Sequence, residues 1–102
     1  MKYLSTRDDS LSRSFNDILY QGLSRDGGLY LPRSWPKIDL LRLKNKSYEE
    51  VASEIILPYV SENIEKLVLQ KILNKTYSNF HHEKIAPIVE LENYKFLLEL
   101  IY

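Results

Sequence analysis

Leu23-Ser24-Arg25-Asp26-Gly27-Gly28-Leu29-Tyr30-Leu31-Pro32 carries the sharpest conformational signal in the chain. Two adjacent glycines let the backbone take positive φ or approach another segment closely, and an Asp just before them can accept from the amides that follow. Asp26, Gly27 and Gly28 therefore read as a sharp structural turn. Leu29 to Leu31 favour extended backbone, and Pro32 removes a donor and closes the segment, so a short strand is predicted over Leu29–Leu31. The rival reading, a phosphate cradle made of those amides, lacks the surrounding GxxxxGK[ST] or GxGxxG pattern.

Working back from the turn, Ser14 is placed as a helix N-cap with Asp17 three residues on, and Phe15, Ile18 and Leu19 recur at helical spacing. A helix over Phe15–Gln21 is predicted, ended by Gly22. Tyr3 and Leu4 begin a short strand that runs into the polar Ser5, Thr6 and Arg7. Working forward, Pro36 biases Trp35 away from helix, and the lone Trp reads as a core anchor under a loop. Asp39 caps a short turn holding Leu40, Leu41 and Leu43. Ser47 and Glu50 form a capping box ahead of Val51, Ala52, Ile55, Ile56, Tyr59 and Val60, a helix expected to end near Leu57 or kink at Pro58. A third helix is predicted from about Asn63, with Ile64, Leu67, Val68, Leu69, Ile72, Leu73 and Tyr77 forming a face broad enough for burial on more than one side. Beyond it, Ile85 to Leu91 and Lys95 to Tyr102 read as two strands joined tightly around Glu92 to Tyr94, with Pro87 at the start of the hairpin or on an edge.

These elements predict a small α+β domain, mainly helical with about three helices, short strands near the N-terminus and at Leu29–Leu31, and a C-terminal β-hairpin. A chain of 102 residues suffices for one modest core. Fourteen basic and fourteen acidic residues leave no net field, so the electrostatic footprint of a nucleic-acid or anionic-membrane binder is missing. No cysteine is present, which removes disulfides, thiol nucleophiles and thiolate metal sites. Neither a secretory signal nor a run of apolar residues long enough to span a membrane is visible, and a cytoplasmic protein is expected.

Chemistry is sparse. His81 and His82 are adjacent, a poor chelate in extended backbone, and no further ligand pattern accompanies them, so no metal is expected. The carboxylates Glu49, Glu50, Glu54, Glu62 and Glu65 read as solvated helix faces. Ser5, Thr6 and Arg7 place two hydroxyls beside a guanidinium after a strand, a combination suited to a phosphate or carboxylate contact. The same residues also suit a surface loop with structural hydrogen bonds.

Taken in order, Tyr3, Ser5, Thr6 and Arg7, then Ser14, Phe15, Gly22 and Leu23, then Asp26, Gly27, Gly28, Leu29 and Pro32, then Tyr77 and Phe80, and last Pro87, Leu98, Glu99 and Leu100 resemble the N-terminal segment of the threonine synthases. The resemblance implies a pyridoxal phosphate lyase of fold type II that converts O-phosphohomoserine and water into threonine and phosphate. It implies further that residues 1–84 are an accessory domain and 85–102 a hairpin leading toward the cofactor-binding catalytic domain, the expected partner. The family's Schiff-base lysine follows the Leu-Glu-Leu strand, in a motif that would start at Ile101 and Tyr102. None of Lys66, Lys71, Lys75, Lys84 or Lys95 stands in it. No catalytic residue and no cofactor is therefore expected within this chain, and no turnover by it alone. The alternative is a stand-alone, non-catalytic interaction module derived from the same domain. Its C-terminal strand, with Phe96, Leu97, Leu98, Leu100 and Ile101, would then be an apolar edge open to self-association.

Overall fold

A computed structural model describes residues 1–80 and 84–100. Their order is β1 (Tyr3–Ser5), α1 (Phe15–Gln21), β2 (Tyr30–Pro32), α2 (Leu40–Leu43), α3 (Tyr48–Val60), α4 (Lys66–Tyr77), β3 (Ile88–Glu90) and β4 (Phe96–Leu98). The architecture is the small α+β arrangement read from the sequence, with a fourth, one-turn helix at α2. No helix among the described residues is long and apolar enough to cross a membrane.

The helix starts follow from local chemistry. Ser14 and Asp17 exchange side-chain and backbone bonds as a capping box on α1, Ser47 and Glu50 do the same on α3, and the Asp39 carboxylate accepts from Leu41 N at the start of α2. Each satisfies amides that a helix leaves without partners in its first turn. Gly22 ends α1 at φ 69°, its N–H donating to Ile18 O at 2.8 Å.

β1 and β2 pair antiparallel, with Tyr3 opposite Pro32, Leu4 opposite Leu31 and Ser5 opposite Tyr30. β1 is also bonded along its other side, where Tyr3 and Arg13 exchange two backbone bonds of 2.9 Å. Tyr3 is buried, and its phenol donates to Tyr59 O at 2.8 Å, fastening the sheet to α3. Burial raises the pKa of that phenol, which keeps the donor protonated.

The core is small. Ala52 and Val60 of α3 meet Leu69 and Leu73 of α4, with Phe15, Ile56, Leu57, Tyr59, Ile64 and Tyr77 packed around them. Tyr77 makes edge-to-face contacts with Tyr48 at 5.0 Å and Phe80 at 5.3 Å, closing one end. Ser53 of α3, 1% exposed, has a hydroxyl with no hydrogen-bond partner among the described residues. A buried, unpaired hydroxyl costs about 1 kcal/mol or more. Outside the core, Glu54 takes Lys46 and Lys66 at 3.3 Å each, linking the approach to α3 with the first turn of α4. These exposed pairs add orientation more than stability.

Several expectations are corrected. The strand after the glycines runs Tyr30–Pro32, one residue later than predicted, because Leu29 spends its carbonyl on Thr6 N just before the ladder begins. α3 does not stop at Leu57: Pro58 falls within its last turn and is exposed, so one backbone bond is lost while Ser61 N still reaches Leu57 O at 2.9 Å. α4 starts at Lys66 rather than near Asn63, since Asn63 and Ile64 bond back to Val60 O and the Asn63 side chain accepts from Asn16 N instead. Trp35 is no core anchor. It is 69% exposed, because Pro36 holds it in the irregular link between β2 and α2, away from the helix pair. The apolar face of α4 is buried on one side only, with Leu67, Val68 and Ile72 left exposed. His81, His82, Ile101 and Tyr102 lie outside the described residues.

The hairpin stands apart from this core. Ile88 faces Leu98, Val89 faces Leu97 and Glu90 faces Phe96, around a reversal in which Asn93 and Tyr94 take φ of 47° and 64°. Every residue of both strands is exposed, and the apolar Ile88, Val89, Phe96, Leu97 and Leu98, with Leu91 just beyond β3, present side chains to solvent.

Candidate functional site

The structure brings the two stretches singled out in the sequence into one place. Ser5, Thr6 and Arg7 leave β1 directly over the Asp26-Gly27-Gly28 turn. Ser5 Oγ donates to Asp26 Oδ1 at 2.9 Å, and Gly28 N donates to the same oxygen at 2.8 Å. Thr6 Oγ1 accepts from Leu29 N at 3.0 Å while Thr6 N donates to Leu29 O at 2.9 Å. Arg7 reaches over with its guanidinium to Asp26 O at 2.9 Å. The turn itself closes through Gly27 N to Ser24 O at 2.9 Å, with Gly27 at φ 79°, a value that glycine takes readily.

Gly28 is buried, and no side chain fits there. A Cβ on it would collide with Ser5 Oγ and stand 2.9 Å from Asp26 Oδ1 and 3.0 Å from Thr6 Oγ1. The second glycine is thus needed for close approach, and the first for its dihedral. Beside the turn, Ser5, Asp8, Arg13, Ser24, Arg25 and Asp26 line an open groove of about 240 Å³.

Hydrogen bonds from Gly28 N and the Ser5 hydroxyl hold the Asp26 carboxyl below its ordinary 3.8, with Arg7 adding a smaller pull in the same direction. Folding therefore favours the ionised form. The stability it contributes is fully present above 3.8 and is lost as pH falls through the depressed value of the folded chain. Asp26→Asn is accordingly expected to be destabilising at neutral pH and to converge on the parent as the solution is acidified below the carboxylate range. Urea titrations at stepped pH measure this, and a stability difference that stays constant down to the acid limit would count against it.

Pyridoxal phosphate needs a lysine in a sheltered pocket and free amides for its phosphate, and the residues here do not fit that group. The amides of Gly27, Gly28 and Leu29 are already bonded within the turn and to Thr6. Lys66, Lys71, Lys75, Lys84 and Lys95 all stand exposed, Lys66 against Glu54. What the site does chemically is lock a glycine turn to the first strand.

The model for the threonine synthase N terminus matches residues 2–77. The chain is 41% identical over 70 residues to threonine synthase from Corynebacterium glutamicum, a match covering 61% of this chain and 15% of that protein. It is 35% identical over 74 residues to threonine synthase-like 2 from Xenopus laevis, covering 69% and 16%. Among solved structures, pyridoxal phosphate-bound threonine synthase from Brucella melitensis superposes with a TM-score of 0.89 at 37% identity, over 98% of this chain and 22% of that one. The Escherichia coli enzyme shares the fold at 21% identity, with a TM-score of 0.83 over 98% and 23%. The chain thus spans about a sixth of the curated relatives it matches, and in the solved structures this fold is part of a longer polypeptide. By its matched residues and its fold, the chain belongs to the threonine synthase N-terminal family.

Proposed function

We propose that this chain acts as the N-terminal accessory domain of a cytoplasmic threonine synthase, which converts O-phosphohomoserine and water into threonine and phosphate. The observation that carries the reading is the superposition over 98% of the chain on a cofactor-bound threonine synthase more than four times as long. When bound, pyridoxal phosphate supplies the electron sink for such chemistry. Residues 1–84 form the accessory domain, and residues 85–102 lead into a separate catalytic body that holds the cofactor. The exposed apolar hairpin supports this division, since an isolated two-stranded hairpin is marginal without something to pack on. The 102-residue protein is expected to be inactive by itself. Incubation with pyridoxal phosphate and borohydride should give no stoichiometric adduct at a unique lysine, and O-phosphohomoserine should release no phosphate. A single-site adduct or steady phosphate release overturns the proposal.

Within the complete enzyme, Arg7 contributes to an anion contact, with Ser5 and Thr6 fixing its loop. The support is that one guanidinium N–H is committed to Asp26 O, leaving further donors of the fork for an oxyanion. Phosphate and phosphohomoserine analogues are expected to shift the Ser5, Thr6 and Arg7 amide resonances of a full-length protein. Unchanged resonances at saturation remove Arg7 from the site.

A second reading, a non-catalytic interaction module that keeps this fold, is favoured by the same hairpin, whose apolar residues are uncovered on both strands.

A further inference from the structure

Asp26–Gly27 is the one step in the chain at which an aspartate or asparagine is followed by glycine. Such a step is chemically weak. The amide nitrogen of the glycine can attack the aspartate Cγ, expelling one side-chain oxygen as water and closing a five-membered succinimide. Hydrolysis adds that water back at either carbonyl, returning aspartate or leaving isoaspartate, in which the main chain runs through Cβ and Cγ. Glycine makes the attack easy, because it has no side chain in the way and reaches the required dihedrals freely.

The fold ties each reacting group to something else. Gly27 N, the nucleophile, donates to Ser24 O at 2.9 Å. On the electrophile, Asp26 Oδ1 accepts from Ser5 Oγ at 2.9 Å and from Gly28 N at 2.8 Å. Arg7 Nη1 holds the main-chain carbonyl between them, Asp26 O, at 2.9 Å. Swinging Cγ onto Gly27 N would take Oδ1 from both of its donors, and turning the Asp26–Gly27 peptide to meet it would strain the Arg7 and Ser24 bonds. The bonds from Gly28 N and Ser5 also keep the carboxyl ionised, and a carboxylate gives up an oxygen far less readily than the acid does.

We infer that Asp26–Gly27 is a latent isomerisation site, held as aspartate by the clasp of Ser5 and Arg7, so that isoaspartate forms there when the end of β1 lifts from the turn. Such lifting is within reach of local opening, since β1 and β2 are three residues each and form a two-stranded sheet. The product cannot be clasped again. Its extra main-chain methylene lengthens the turn and moves the carboxylate, so Ser5 Oγ and Gly28 N lose their acceptor. Gly28 has no room to follow, because Ser5 Oγ and Thr6 Oγ1 already crowd its α-carbon. A transient opening is thereby converted into a lasting covalent change in the chain.

Ageing at neutral pH, followed by peptide mapping with electron-transfer fragmentation, reads the isoaspartate fraction at residue 26. The samples are the folded 102-residue chain, the same chain in urea, and a synthetic peptide of residues 20–33. Peptide and urea-unfolded chain should react alike, and the folded chain at least about tenfold more slowly. Ser5→Ala removes one donor to Asp26 and adds no bulk, so it should raise the rate in the folded chain about fivefold, with circular dichroism showing the helices retained. Thr6→Val, which keeps the shape but loses the acceptor for Leu29 N, loosens the other arm of the clasp and should act in the same direction. A folded parent chain that isomerises as fast as the peptide overturns the inference. So do folded Ser5→Ala and Thr6→Val chains whose rates match the parent.

Discussion

Gly28→Ala is expected to destabilise the domain by about 3 kcal/mol, through a collision at the turn and the bonds it dislodges. The added methyl would occupy the space of Ser5 Oγ and crowd Asp26 Oδ1 and Thr6 Oγ1, three atoms that together take part in four hydrogen bonds, two of which join the end of β1 to the glycine turn. Ser5 can rotate out of the way only by abandoning Asp26 and Arg7 N, and Asp26 can move only by releasing Gly28 N. The neighbouring substitution sharpens the test. Gly27→Ala places its methyl against the end of the Arg7 side chain, which can swing aside, so it should cost about 1 kcal/mol, mainly for its positive φ. Urea denaturation of the two variants therefore should rank Gly28 well above Gly27. The opposite order, or two equal small losses, would mean that β1 does not press on the turn as described.

The second large effect lies in the helix pair. Leu73→Ala should cost about 3 kcal/mol, because Leu73 is 7% exposed in a cluster whose other buried members are Ala52, Val60 and Leu69. In a domain of this size that loss lowers the midpoint of thermal unfolding by roughly 15 °C. Leu67, two turns of the same helix away and 70% exposed, has the same side chain and should lose little when replaced by alanine. Thermal unfolding followed by circular dichroism distinguishes the two, and equal midpoints for Leu67→Ala and Leu73→Ala would refute the placement of the core. Should both variants be repeated in a full-length threonine synthase, any added cost at Leu67 would mark contact with the rest of that protein.

Much of this fold was legible residue by residue where the determining forces are local. The capping boxes Ser14–Asp17 and Ser47–Glu50 announce their helices because hydroxyl, carboxylate and first-turn amides are all within four residues. The hairpin, likewise, follows from two apolar runs around a polar reversal. What failed depends on distant partners. Trp35 looks like a core residue by type, yet whether a core reaches it is decided by where α3 and α4 meet. The breadth of the α4 stripe suggested burial on two sides, and residues 1–80 and 84–100 cover one. Pro58 ends helices only when the lost bond and ring clash matter, and in the last turn of α3 neither is enough. The turn site shows the same division. Asp26, Gly27 and Gly28 read as a turn from their own chemistry, and Ser5, Thr6 and Arg7 as a polar group with spare donors. That the second set fastens the first, across 21 residues from Ser5 to Asp26, is a property of the tertiary pairing alone. So is Ser53, whose buried hydroxyl carries no signal in a helical pattern of alternating polar and apolar residues.

The Tyr3 phenol has a consequence for the order in which the chain takes shape. Its acceptor, the carbonyl of Tyr59, lies 56 residues further along, and its ladder partner Pro32 comes only after α1 is complete. During synthesis the opening strand meets Arg13 and β2 early, but its phenol has no acceptor until the ribosome has delivered Tyr59 near the end of α3, so the link from sheet to helix pair is made late. The small sheet and the helix pair therefore become one body only once most of the domain has been made.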